Sequence, residues 1–225
     1  MRAFIDFEAS SLGRRGYPIE VAWVFENGVS ESLLIAPVDK WTDWDPAAEA
    51  IHGISREQLG REGVSTEIVA RRLVDALQGF EVFSNAPSWD GKWLSALLRS
   101  AGLPRHAIRV VDTDAALMKL AAALLAPVLS SSEIHRATRK ILAEAASHFA
   151  DRQPSHRALP DAQFERERWL MVSNLAHSYG GRPTVVPGQL VNDPSESPGS
   201  VLHQRHVAAI HLRHQHSTHF QGERE

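Results

Sequence analysis

An α/β fold built on a mixed five-stranded sheet, with helices on both faces, follows from three features of the chain. Residues 2–36 read as strands of an antiparallel meander, the middle alternates helical and strand patterns, and the stretches from there to residue 178 carry only helical periodicity. Hairpin-linked strands pair antiparallel, whereas strands separated by helices need crossovers and pair parallel. Three antiparallel strands followed by two parallel ones are therefore expected.

Each element has its own signal. Arg2 to Phe7 is aromatic and β-branched, suited to a packed, pleated surface. Ile19 to Phe25 alternates Ile19, Val21, Trp23 and Phe25 on one side, and the Asn27-Gly28 pair after it favours a tight hairpin. The return strand runs from Val29 to Ala36 and stops at Pro37. Asp45-Pro46 is a helix start, with a capping side chain before proline at the first helical position, and Ser55 to Gln58 has the S-x-x-Q form of a capping box. A longer helix is expected from Thr66 to Gln78, stopped by Gly79. Phe80 to Ser84 is the fourth strand, Asp90 to Ala101 a helix ended by Gly102, and Ile108 to Val111 the fifth strand. Helices over Ala115 to Leu125, Ser132 to Ala150 and Asp161 to His177 complete the pattern. Residues 1–178 thus form the folded domain, and 179–225, rich in Gly, Pro, Ser and His, reads as a disordered tail.

The composition excludes several classes. With 225 residues, 43% hydrophobic and 23% charged, the chain suits one globular domain plus an appendage. No apolar run approaches the ~20 residues of a membrane span. The first strand begins almost at Met1, which leaves no room for a secretory signal. The absence of cysteine removes disulfide and thiolate chemistry and fits a reducing cytoplasm. A net charge of −3 carries no global basic field, although an enzyme that holds a few nucleotides through metal ions needs little basic surface.

The chemistry starts in FIDFEASSLG. Asp6 and Glu8 are two apart in a strand whose side chains alternate, so both leave one face while Ile5 and Phe7 leave the other. Two like charges side by side in an apolar strand require an opposing charge, from Arg, Lys or a cation, and hard divalent cations prefer oxygen ligands. Further acids stand at element ends. Asp90 begins a helix after the fourth strand, and Asp112 and Asp114 flank the end of the fifth; each is also a natural helix-capping acid, and spacing alone leaves the three equivalent. His156 and Asp161 lie five apart around Pro160, the histidine in a loop and the acid in the first turn of a helix.

Asp6-Phe7-Glu8 with Ser10-Ser11-Leu12, then His52-Gly53-Ile54, then Asn85-Ala86 leading to Asp90, then His156 and Asp161 at H-x-x-x-x-D spacing, resemble the DEDDh 3′ to 5′ exonucleases. That family includes the proofreading epsilon subunit of bacterial DNA polymerase III, RNase T and oligoribonuclease. The resemblance covers about residues 1–178 and implies a ribonuclease H-like fold. It selects Asp90 as the third acid and leaves Asp112 a structural role. It implies two Mg²⁺ or Mn²⁺ ions shared by Asp6, Glu8, Asp90 and Asp161; two ions ~4 Å apart stabilise the attacking and leaving oxygens of a phosphoryl displacement. His156 is the implied general base, since an imidazole pKa of about 6.5 lets it accept a proton from the attacking water near neutrality.

The implied reaction releases nucleoside 5′-monophosphates from the 3′ ends of single-stranded DNA or RNA. Ser10, Leu12, His52, Asn85 and Trp89 are the implied substrate contacts. Leu12 is either the residue that wedges against terminal bases or a core residue, and His52 also suits a structural place at a helix end. Trp41 and Trp44, like Trp89, are candidates for base stacking, worth ~1–3 kcal/mol per base. Two departures stand beside the nucleotide site: Ser10 and Ser11 replace the usual Thr and Gly, and Pro87-Ser88 lengthens the Asn85 to Asp90 segment by one residue. Family members include homodimers and polymerase subunits, and a catalytically silent binding module on the same fold is the competing reading. The tail holds His203, His206, His211 and His214 at i, i+3 pairs, where adventitious Zn²⁺ or Ni²⁺ binding is the simplest expectation.

Overall fold

A computed structural model describes residues 1–179; the tail and its histidines lie outside the described residues. The strands are β1 (Arg2–Ala9), β2 (Pro18–Phe25), β3 (Ser30–Ala36), β4 (Val64–Ser65), β5 (Glu81–Ser84) and β6 (Val110–Asp112). Their order in the sheet is β4-β3-β2-β1-β5-β6. β1, β2 and β3 are antiparallel neighbours, and β1, β5 and β6 run parallel. The expected five strands and their directions are therefore present. The additional one, β4, is two residues paired parallel with Ile35 and Ala36 of β3, too short to leave an alternating pattern in the sequence.

Seven helices accompany the sheet among the described residues: α1 (Pro46–His52), α2 (Arg56–Glu62), α3 (Thr66–Leu77), α4 (Pro87–Ser100), α5 (Thr113–Leu125), α6 (Ser131–His148) and α7 (Ala158–Tyr179). Asp45 caps α1 ahead of Pro46, and Ser55 caps α2 through the Gln58 N–H. The Gln58 side chain bonds Glu62 instead of turning back, so the capping box is half made. α4 starts three residues before Asp90, at Pro87, because proline suits a first turn whose N–H groups have no helical partner. α7 likewise begins ahead of Pro160 and accommodates it: the first helical bond runs from Asp161 N to Arg157 O at 3.2 Å, past the missing proline N–H.

Two cores flank the sheet. Ala3, Ile5 and Phe7 of β1 pack with Val21 and Trp23 of β2 against α3 and α4. Phe4 turns the other way, with Phe83 of β5, against α5, α6 and α7. Trp169 fastens α7 to this second face, its ring 5.0 Å from Phe83 and 5.9 Å from Phe4 between centroids. Asp6 and Glu8 share the parity of Phe4, so the strand directs both carboxylates to the α7 side. None of the described helices is long and apolar enough to cross a membrane.

Candidate active site

The carboxylates of Asp6 and Glu8 are buried, at 4% and 5% exposure, in the strand with a neighbour on each side. Asp161, in the first turn of α7, completes a group in which one oxygen from each of the three acids lies within 4.8 Å of the others. Ser155 supports Asp161 from the preceding loop, donating from its N–H at 3.2 Å and its hydroxyl at 3.1 Å. Unscreened, three anions so close would repel by several kcal/mol. An all-oxygen donor set of this density fits a hard divalent cation, which takes carboxylate ligands in just such a way.

Asp90 comes from a different helix. It is 3% exposed in the first turn of α4 and accepts a short hydrogen bond from the Ser84 hydroxyl at the end of β5, the strand beside β1. Its two rivals are occupied elsewhere. Asp112 caps α5 by accepting from Ala115 N at 2.7 Å, and Asp114 pairs with Arg168 of α7.

His156 sits in the loop before α7 with a φ of 53°, the left-handed region a non-glycine residue enters only under constraint. Its neighbour supplies one such constraint. Arg157 donates from Nε at 3.0 Å and Nη2 at 2.7 Å to the carboxylate of Glu20 on β2, which also accepts from Ala158 N at 3.1 Å. These bonds to Glu20 push the Arg157 guanidinium up in pKa, burial opposes them, and the charges of Glu20 and Glu8 add to the rise. Glu20 is 3% exposed and directly opposite Glu8 in the β1–β2 register. Like charges so placed destabilise a sheet unless a cation joins them, and Arg157 is that cation.

The remaining candidates fall into two groups. Ser10 is buried and closes its own loop: its hydroxyl accepts from Tyr17 N at 3.1 Å. His52 is also buried, its Nδ1 accepting from Ile54 N at 3.0 Å. Burial pushes its pKa down; the charges of Glu49 and Glu20 oppose that, while Arg157 and His156 reinforce it, which sets His52 in the electrostatic neighbourhood of the histidine loop. Leu12 is 41% exposed, outside the core, and Asn85 is exposed. Trp89 is half-buried, stacked on Trp93 at 5.8 Å, with the Lys92 ammonium 4.9 Å from its ring centre. Lys92 also donates to Gly13 O at 2.8 Å, tying α4 to the loop that carries Leu12, and burial pushes its pKa down. Trp41 is stacked on Tyr17 at 5.1 Å, and Trp44 donates to Glu49 of α1 at 2.7 Å; both pack against the cluster of Tyr17, Ile19, Ile54 and Leu59.

Glu20, Arg157 and Lys92 are absent from the sequence expectations. Glu20 did leave a trace, as a lone charge inside the apolar run IEVAWVF, the same sign that marks Asp6 and Glu8.

No protein-family model matches the chain, and no curated protein matches it by sequence. Solved structures do match in fold. Apo Exonuclease I superposes with a TM-score of 0.55 at 15% identity over 79% of this chain and 43% of its own. E. coli Exonuclease I in complex with a dA16 oligonucleotide gives 0.54 at 14% identity over 80% and 43%. The zinc-ion-bound form of the E. coli exonuclease–single-stranded DNA complex gives 0.53 at 16% identity over 80% and 41%. This chain thus spans about two-fifths of the length of those enzymes. A mixed sheet of this order between two helical layers, shared with Exonuclease I at such low identity, is the ribonuclease H-like fold.

Proposed function

We propose that this protein is a metal-dependent 3′ to 5′ exonuclease that releases nucleoside 5′-monophosphates from single-stranded nucleic acid. The observation that carries the reading is the convergence of Asp6, Glu8 and Asp161, from the first strand and the last described helix, beside a loop holding His156. Asp6, Glu8 and Asp161 would hold a divalent ion, with Asp90 as a further acid from α4. Such ions, when bound, lower the pKa of water and neutralise the charge that develops on the phosphoryl group. His156 accepts the proton of the attacking water, and the Glu20–Arg157 pair beside it keeps its loop at the acids. Leu12 and Trp89, tied through Lys92, offer apolar surface to the terminal bases. The fold shared with Exonuclease I, whose structures include DNA complexes, favours single-stranded DNA over RNA.

The test is hydrolysis of 5′-labelled single-stranded DNA and RNA of matched sequence, with Mg²⁺, Mn²⁺ or EDTA, beside Asp161→Asn. A metal-dependent ladder shortening from the 3′ end and lost in the variant is expected. Oligonucleotide binding with no ladder in either metal would instead assign a catalytically silent binding module.

A further inference from the structure

Glu20 is a heavily engaged carboxylate beside the site. Besides the two bonds from Arg157 and one from Ala158 N, it accepts from the Ser32 hydroxyl at 3.3 Å, so the hydrogen bonds come from β3 and from the start of α7. Its bonds fall on the two residues directly after His156. They therefore fix the backbone on the C-terminal side of the strained φ, while Ser155 and Asp161 fix the other side. A short segment in an unfavourable conformation persists only where its surroundings over-determine it. β2 reaches both ends of the problem: Glu20 faces Glu8 across the ladder and binds Arg157 across the layer.

We propose that Glu20, acting through Arg157, is a positioning residue that presets His156 and Asp161 against the β1 carboxylates before any metal binds. This rests on the exonuclease reading of the same site. The pair does two things at once. The planar, two-pronged guanidinium bond sets the direction in which α7 enters, and the fixed positive charge beside Glu8 offsets part of the repulsion among the acids. A mere fold-stabilising ion pair would do neither specifically at the site.

Two charge-conserving variants isolate geometry from charge. Arg157→Lys keeps the cation but loses the fork, and its side chain is 43% exposed, so the variant has room to fold. Glu20→Asp keeps the anion but withdraws it by one carbon–carbon bond, ~1.5 Å. Each is measured for kcat and KM on a labelled oligonucleotide, at a temperature where melting shows it fully folded. Each is also titrated with Mn²⁺ alone by calorimetry. Partners that orient metal ligands and neighbouring groups change activity or metal affinity by ~10–100-fold when removed. The expected result is a kcat loss in that range, KM within about threefold because the substrate surface is untouched, and a matching loss of Mn²⁺ affinity. Wild-type kcat and Mn²⁺ affinity in both variants would overturn the proposal, as would a change confined to KM. If the wild type binds Mn²⁺ without cleaving nucleic acid, the exonuclease reading fails on its own, and the calorimetric comparison still decides whether Glu20 presets the acids.

Discussion

Asp6→Asn should move two observables in opposite directions. Asp6 is buried on the central part of the sheet, with Glu8 on the same face and Asp161 within 4.8 Å through a carboxylate oxygen. Two unit charges at such a distance repel by ~1 kcal/mol in water and ~4 kcal/mol at the effective dielectric near a protein surface. Replacing Asp6 by its neutral isostere removes two such repulsions, set against the Arg157 charge nearby and the loss of one ionised acceptor, which leaves a net gain of about 1–2 kcal/mol in the metal-free protein. For a domain of this size that corresponds to a Tm rise of ~2–8 °C in EDTA. On the proposed reading the same change also removes a metal ligand. Where Mn²⁺ at a hundred times its Kd stabilises the wild type by ~2.7 kcal/mol, a loss of about 100-fold in affinity leaves the variant only ~0.4 kcal/mol. Differential scanning calorimetry with EDTA and with Mn²⁺, side by side for both proteins, reads both effects. A lower Tm in EDTA together with an undiminished Mn²⁺ shift would refute the idea that these acids are held together at a cost that a cation relieves.

Other expectations concern single positions. His156→Ala should lower the hydrolysis rate by ~10² or more, while His156→Gly, equally inactive, should be about 1 kcal/mol more stable than the alanine variant because glycine accepts the left-handed backbone; comparison of kcat and chemical denaturation checks both. Because burial holds the folded-state pKa of His52 below 6.5, its contribution is complete above pH 6.5, where folded and unfolded states are both neutral there. As the pH falls below 6.5 the unfolded state takes up the proton first and stability declines, so wild type and His52→Gln should diverge between pH 7.5 and 5.5 in urea melts. Gly16→Ala should destabilise by more than ~1 kcal/mol, since a Cβ there would stand 2.3 Å from Ser11 O, within the loop that carries Leu12; urea denaturation reports it.

The strands other than β4, and the face of β1, were legible because strand side chains alternate locally: Asp6 and Glu8 must leave one face when Ile5 and Phe7 leave the other. The start of α7 was not, since Pro160 reads as a helix boundary until the first turn is known to need no N–H there. Asp112 and Asp90 look alike as cap acids in the sequence; only the strand beside them shows that Asp112 closes α5 while Asp90 meets Ser84. The Glu20–Arg157 pair could not be read at all from spacing, because its partners lie on β2 and α7 and meet through tertiary packing. Leu12 was ambiguous for a similar reason: a leucine in a loop is core or surface depending on what folds over it, and here Lys92 holds the loop while leaving the side chain outside.

The trio of acids joins the first strand to the last described helix, and that has a bearing on how the chain is made. Within this domain Asp6 and Glu8 are synthesised about 150 residues before Asp161, so the two strand acids wait for the third until α7 has been made. On the exonuclease reading, cleavage competence would then arise when α7 docks. A cation held across that junction closes a loop of nearly the whole domain, the situation in which a cross-link removes most freedom from the unfolded chain. On that reading metal uptake would be both a readout of finished folding and a latch on it.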